Sequence, residues 1–217
     1  MHRSFAHYLI SACLLVVTTC SQAAEWKVVM NKSGVNVQQQ STASGYAITR
    51  GSIEINTTLP VLATILQSPK ISKDLIHMCR DGWMVKKYDK ANRLDYLIID
   101  APLMFEDRDI YVHSHSSWNA ATKTVLIRMS GREKHDAGQP GRVRIKDFQG
   151  YWRLQQTTPD KVMVTYQVYN DPQIPGGSFL SFAFADSAFQ TLLNLEKLSK
   201  NPKYQTNISI EELVAAQ

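Results

Sequence analysis

The sequence has few cysteines for its length, three among 217 residues. Two of them, Cys13 and Cys20, lie in an N-terminal segment that we expect to be removed from the mature protein. Cys79 would then be the one remaining thiol, which excludes an internal disulfide and leaves the hydrophobic core to supply the stability. His77 is two residues away, a spacing that does not bring side chains together on a helix. Cys79 is therefore predicted to be a small buried side chain without reactive chemistry.

Common catalytic and nucleotide-binding motifs are also absent. The chain contains no G-x-x-x-x-G-K-[ST], no G-x-G-x-x-G and no G-x-S-x-G, which removes the usual signatures of phosphate, dinucleotide and acyl chemistry. His113 and His115 share one face of a predicted strand, but third and fourth metal ligands are not evident, since His135 and Asp136 fall on a later loop. Ile110, Val112 and Trp118 have the opposite parity and look buried, which would leave both histidines on the outer face. We expect no metal, no cofactor and no catalytic centre.

The excess of positive charge is small. Lys and Arg number 24 and Asp and Glu number 19, which gives a formal net charge of +5. Such an excess attracts an anionic surface weakly, but it lacks the clustered basic residues of a nucleic-acid binder. The sequence therefore predicts no nucleic-acid partner.

No apolar run is long enough to cross a bilayer, which takes roughly 20 residues. The longest lies near the N-terminus, from Tyr8 to Val17, after a weakly basic head that contains Arg3. Ser21-Gln22-Ala23 then offers a small-x-small cleavage pattern. We expect residues 1–23 to be a signal peptide and the protein to be exported, in a bacterium to the periplasm. The alternative is a lipoprotein anchored at Cys20, but Thr19 is not the small residue that usually precedes a lipidated cysteine.

Hydrophobic periodicity divides the rest of the chain into strands and helices without a repeat or a linker. Period-two alternation predicts these strands: 26–30, 35–40, 46–56, 83–88, 93–100, 109–118, 124–131, 143–155 and 161–170. Helical spacing predicts these helices: 59–66, 72–79 and 179–198, with a further turn of helix in the tail, 201–217. So many consecutive strands favour an antiparallel sheet and an α+β fold.

The last long helix is amphipathic. One face carries these predicted buried residues: Phe182, Ala185, Phe189, Leu192 and Leu193. The opposite face carries these polar residues: Ser187, Gln190, Asn194 and Lys197. A helix of this length can lie across a curved sheet and close it.

Four segments, in order, resemble one known family. The stretch from Tyr96 to Val112 reads Y-L-I-I-D-A-P-L-M-F-E-D-R-D-I-Y-V, and 75–79 keeps the cysteine of a W-x-x-x-C pattern. Val143–Leu154 ends in G-Y-W-R-L, and Asp171–Pro175 reads D-P-Q-I-P. Together they resemble the START (StAR-related lipid-transfer) family over residues 24–200. The family's Gly-Gly is displaced to Gly176-Gly177, and the tryptophan that often follows it is absent, with Phe179 and Phe182 as substitutes.

The resemblance implies a helix-grip fold, in which a curved antiparallel sheet and a long C-terminal helix enclose an apolar cavity. It also implies that a monomer binds, and by extension transfers, a lipid or other hydrophobic ligand, with transient membrane contact. Strand parity and the helix face, read with the resemblance, give these ligand-binding residues: Val112, Trp152, Val164, Tyr166, Phe182, Phe189 and Leu193. A bulge near Gly150 would bring Val143 and Ile145 to the face that carries Trp152.

The R-D pair is interpreted as structural. Arg108 lies among the carboxylates of Glu106, Asp107 and Asp109, which would stay ionised and hold the turn through charge-assisted hydrogen bonds.

Two other functions remain open at this stage. A helix-grip cyclase or hydrolase would need acid and base groups in the cavity, for which the candidates are Asp109, Tyr111, His113 and Tyr166. A scaffold protein would have a filled core, which the sequence does not distinguish from a hollow one.

Overall fold

The computed structural model describes residues 24–101, 105–132, 139–174 and 180–216. The ten strands are β1 Lys27–Lys32, β2 Val35–Gln40, β3 Ile48–Asn56, β4 Cys79–Lys87, β5 Asn92–Ile99, β6 Asp107–Asn119, β7 Thr124–Gly131, β8 Arg142–Arg144, β9 Phe148–Thr158 and β10 Lys161–Asn170. The helices are α1 Leu59–Gln67, α2 Ser72–Leu75, α3 Ser181–Ser199 and α4 Ile210–Leu213, with a short 3-10 helix at Pro202–Tyr204.

The strands form one open sheet in the order β1-β2-β3-β10-β9-β7-β6-β5-β4. Neighbouring strands in this order are antiparallel, and β8 alone runs parallel, beside β6. Together with the long helix α3, this architecture confirms the predicted α+β helix-grip fold. No helix in the described ranges has the length and apolarity needed to span a membrane.

The main core lies between the inner face of the sheet and helices α1 and α3. Buried side chains such as Val37, Ile55, Leu62 and Leu192 belong to one continuous cluster. Helix α3 lies so close to β3 that a Cβ on Gly51 would come within 2.6 Å of Leu192 Cδ1. Glycine at this position therefore sets how near the closing helix approaches the sheet.

Helix α2 is shorter than predicted. It ends at Leu75, and Cys79 already begins β4. The chain reverses between them at Met78, whose φ of 64° lies in the left-handed region. The prediction of a helix through Cys79 was wrong because periodicity does not show where a backbone leaves the helical region.

The predicted strand 143–155 is in fact two strands. Residues 142–144 form β8 next to Asp109, and β9 begins at Phe148 after a three-residue connection. No bulge occurs at Gly150, since β9 keeps unbroken register with β7 through this residue. A Cβ on Gly150 would lie 2.5 Å from the Gln167 carbonyl oxygen, so glycine serves close packing here. A change of strand, not a bulge, brings Ile145 to the inner side.

Candidate functional site

A cavity of about 180 Å³ lies between the inner face of the sheet and helices α2 and α3. Its floor is formed by inward residues of β5, β6, β7, β9 and β10. The 76–78 segment and α3 form its other walls. Most of the lining is apolar, so the sequence-based expectation of a hollow, apolar interior agrees with the geometry.

Three of the predicted ligand-binding residues line this cavity, namely Val112, Trp152 and Tyr166. Trp152 and Tyr166 lie opposite each other on β9 and β10, and their rings stack with centroids 4.1 Å apart. Burial raises the pKa of the Tyr166 hydroxyl, which therefore stays protonated. Contact of these three residues with a ligand remains a prediction.

The other four predicted residues lie outside the cavity lining. Val164 is fully buried in the main core, where Leu193 packs against the same cluster. Phe189 is also part of that core, with the Lys32 ammonium 4.5 Å from its ring centroid. Phe182 is 74% exposed and points away from the sheet. None of these four residues lines this cavity, and their contact with a ligand remains a prediction.

The stripe of helix α3 that lines the cavity differs from the predicted one, and most of its residues are small. Ala183, Phe184, Ser187 and Ala188 contribute to the wall. Ala185, Phe189, Leu192 and Leu195 form the neighbouring stripe, which packs into the core. The sequence places Ser187 on the polar outer face, but in the structure it lines the cavity. Its small side chain lets α3 lie close to the sheet. Hydrophobicity in the sequence therefore does not distinguish the residues of α3 that pack against the core from those that line the cavity.

An ion pair forms part of the cavity wall. The Arg93 Nε donates to Asp95 Oδ2 at 2.7 Å, and both side chains line the cavity. Burial raises the pKa of Asp95, and Arg93 offsets this only in part. Within the described residues, the buried Arg93 Nη1 has no hydrogen-bond partner. An unsatisfied buried donor costs free energy, so this nitrogen is suited to meet an acceptor on a bound molecule.

Sequence reasoning missed Arg93 and Asp95. They share strand parity with Leu97 and Ile99, which also line the cavity, and they alternate with the buried residues Leu94, Tyr96 and Ile98. The alternation marks β5 as a strand, but both of its faces carry apolar residues. Nothing in the pattern showed which face turned inward.

Arg108 reaches the cavity at the other end of β5 and β6. It is 5% exposed, and its Nε donates to the Pro172 carbonyl at 2.9 Å while Nη1 donates to the Glu106 carbonyl. Burial lowers the pKa of its guanidinium. Its hydrogen-bond acceptors here are main-chain oxygens, in place of the expected neighbouring carboxylates. Arg108 therefore fastens the 171–174 segment to β6.

Asp109 points to the other face of β6 and is fully buried. Its carboxylate accepts two hydrogen bonds from Arg144 on β8, at 2.7 and 3.0 Å, and one from the Tyr96 hydroxyl at 2.7 Å. The Ile145 amide donates to the Asp109 carbonyl at 2.9 Å. This residue therefore holds β8 against the sheet, in agreement with a structural role.

The candidates for catalysis do not converge. Asp109, Tyr111 and His113 project from the outer face of β6, and Tyr166 alone projects into the cavity. Burial raises the pKa of Cys79 to about 12, so this thiol stays protonated. Among the described residues, no group of three His, Cys, Asp or Glu side chains is placed to hold a metal ion.

Comparison with known proteins identifies the architecture. The sequence matches no protein-family model and no curated protein. Among solved structures, a STAR-related lipid transfer protein from Xanthomonas axonopodis is 20% identical with a TM-score of 0.74, covering 81% of this chain and 99% of that chain. Human STARD10 is 15% identical with a TM-score of 0.72, covering 82% of this chain and 75% of that chain.

Human StAR-related lipid transfer protein 5 is 16% identical with a TM-score of 0.71, covering 81% of this chain and 86% of that chain. Each of these similarities covers at least 81% of this chain. The chain therefore has the fold of StAR-related lipid-transfer domains.

Proposed function

We propose that this chain binds a lipid or another amphiphilic small molecule in the cavity between the sheet and α3, outside the cytoplasm, without catalysing a reaction on it. The observation that carries the proposal is a largely apolar cavity in whose lining the buried Arg93 Nη1 has no hydrogen-bond partner among the described residues. The lipid-transfer proteins of the same fold support the ligand class.

The apolar wall would supply most of the affinity. Each Å² of apolar ligand surface removed from water is worth about 25 cal/mol. Val112, Ile127 and Trp152 offer such apolar surface in the cavity lining. A carrier of this kind lowers the free energy needed to move a hydrophobic molecule through water. Transfer between membranes requires such a movement.

The ion pair would orient the ligand. Arg93 Nη1 can donate to a hydroxyl, carbonyl or anionic oxygen, and Ser114, opposite Arg93 on β6, adds a hydroxyl to the same part of the lining. A hydrogen bond to a charged donor is worth about 1.5–3 kcal/mol. The ligand would therefore be an amphiphile with an acceptor group near Arg93 and its apolar body along Trp152.

A direct test is to purify the protein from its native source, extract it with organic solvent and identify the released molecules by mass spectrometry. A stoichiometric amphiphile with an oxygen-bearing head would support the proposal. Arg93→Met removes the donor but keeps an apolar side chain, and it should lower the amount of that molecule recovered. Recovery of no small molecule from either protein would favour a filled scaffold, and recovery of a chemically altered molecule would favour an enzyme.

A further inference from the structure

Over β7, β9 and β10, the face of the sheet that points away from the helices is largely polar and uncovered by them. Inward residues of β7, β9 and β10 are buried under α1 and α3, and the alternate residues point outward. A row of outward residues crosses five strands in register, as follows: His115, Arg128, Tyr151, Gln167 and Arg50. We call this surface, together with Arg153 on β9, the outer basic face.

The outer basic face is positive. Alternate outward residues in 124–130, 149–155 and 163–169 include no Asp or Glu. Arg50, Arg128 and Arg153 lie on it, with His113 and His115 beside them. Glu54 on the same side is paired with Lys161 at 3.1 Å. Among the described residues that line the groove here, Asp147 is the single carboxylate.

The three arginines are not neutralised by the described residues. Arg128 makes no ion pair or side-chain hydrogen bond within the described part of the chain. Arg153 donates to the Gln155 amide oxygen at 3.0 Å. Arg50 donates to the Gln38 amide oxygen at 2.6 Å, and its guanidinium lies 3.9 Å from the Trp26 ring centroid. Neutral partners hold these guanidinium groups in position without cancelling their charge.

The spacing and shape of this face restrict its partner. Arg128 and Arg50 are three strand spacings apart, which is about 14 Å, and the groove beside Arg128 and Arg153 is open along β9. The large exposed apolar side chains, such as Trp83 and Phe182, lie outside the groove. The apolar residues that line the groove, such as Leu126 and Phe148, are partly buried, so they offer a bilayer few apolar anchors. Three arginines are few for a nucleic acid, whose binding depends on neutralising many phosphates.

From this geometry we propose that the outer basic face docks an acidic segment of a second protein. Carboxylates of that segment pair with Arg128, Arg153 and Arg50, and the Tyr151 hydroxyl and Gln149 amide supply hydrogen bonds to its main chain. Tyr and Arg are the residues that protein interfaces favour, and complementary charge steers and orients the encounter. The site lies on the opposite side of the sheet from the cavity, so this proposal does not depend on ligand binding in the cavity.

The test uses the purified protein and a short fluorescent peptide of alternating glutamate and glycine, titrated at low salt by fluorescence anisotropy. The charge-reversed variant Arg128→Glu/Arg153→Glu should weaken binding about tenfold or more, because both contacts become repulsive. The matched control is Lys73→Glu/Lys197→Glu, which changes the net charge equally through exposed residues of α2 and α3. The control should bind the peptide as the unmodified protein does.

Parallel titrations use phosphatidylglycerol vesicles and single-stranded DNA. Absence of saturable peptide binding, or equal loss in the two double variants, would overturn the proposal. It would also be overturned if vesicles or DNA bound through Arg128 and Arg153 at concentrations at which the peptide did not. Circular dichroism of both variants checks that the fold is retained.

Discussion

Arg108 and Asp109 are neighbours in the sequence but hold two different segments from opposite faces of β6. Arg108 points into the cavity and donates to the Pro172 carbonyl, and Asp109 points outward and binds Arg144 of β8. Both segments border the same end of the cavity, since Arg108, Ile145 and Ile174 all line it. The R-D pair is therefore a junction that fixes this end of the cavity.

The first prediction concerns Asp109, the residue of this junction that points outward. Asp109→Ala should lower the free energy of unfolding by about 3–5 kcal/mol, because it removes the carboxylate from a largely buried ion pair with Arg144. Asp107→Ala is the control, since its partner Arg80 has a side chain that is 60% exposed and such pairs contribute about 1 kcal/mol or less. Urea unfolding measures both. Equal effects would show that Asp109 does not anchor β8.

The second prediction concerns Arg108, the residue of this junction that points into the cavity. Arg108→Ala should lower the free energy of unfolding by about 1.5–3 kcal/mol, because two main-chain carbonyls lose a charged donor. Release of the 171–174 segment should also speed limited proteolysis there. The affinity for a hydrophobic probe should fall only as far as the folded fraction falls. Full stability with lost binding would make Arg108 a contact of the ligand head group instead.

The third prediction concerns pH. The pKa of Asp95 is raised in the folded protein by burial, so the folded state holds this proton more tightly than the unfolded chain. Stability is then greatest below the unfolded pKa and falls as the pH rises through the folded pKa. Asp95→Asn should remove this part of the pH dependence, as measured by urea unfolding at a series of pH values. An unchanged slope would contradict the assignment.

The fourth prediction concerns export. If residues 1–23 are a signal peptide, N-terminal sequencing of the protein from its native source should begin near Ala24. The protein should then be released with the periplasmic fraction. A retained Met1, or a lipidated Cys20 at the new N-terminus, would contradict this prediction.

The succession of strands and helices along the chain could largely be predicted from the sequence, because a period of two marks strands and helical spacing marks helices. The parity of Ile110, Val112 and Trp118 correctly placed His113 and His115 on the outer face. The face of α3 could not be predicted in the same way. Three residues of the cavity stripe, Ala183, Ser187 and Ala188, are small and look neutral in a sequence.

The charged pair in the cavity was missed for a related reason. Arg93 and Asp95 look like solvent-facing residues, and only the curvature of the sheet around α3 turns them inward. Phe189→Asp would not report on ligand binding in the cavity. Phe189 belongs to the main core, so a charge there would unfold the protein whether or not α3 moves.

The most direct test of the central claim compares two adjacent substitutions on α3. Ala183 lines the cavity, and Phe182 beside it is exposed. Ala183→Trp should fill much of the space and weaken binding of a fluorescent fatty acid about tenfold or more, while Phe182→Trp leaves it unchanged. Both variants should unfold cooperatively in urea, which confirms that they fold. Equal affinity of the two folded variants for the fatty acid would contradict binding in this cavity.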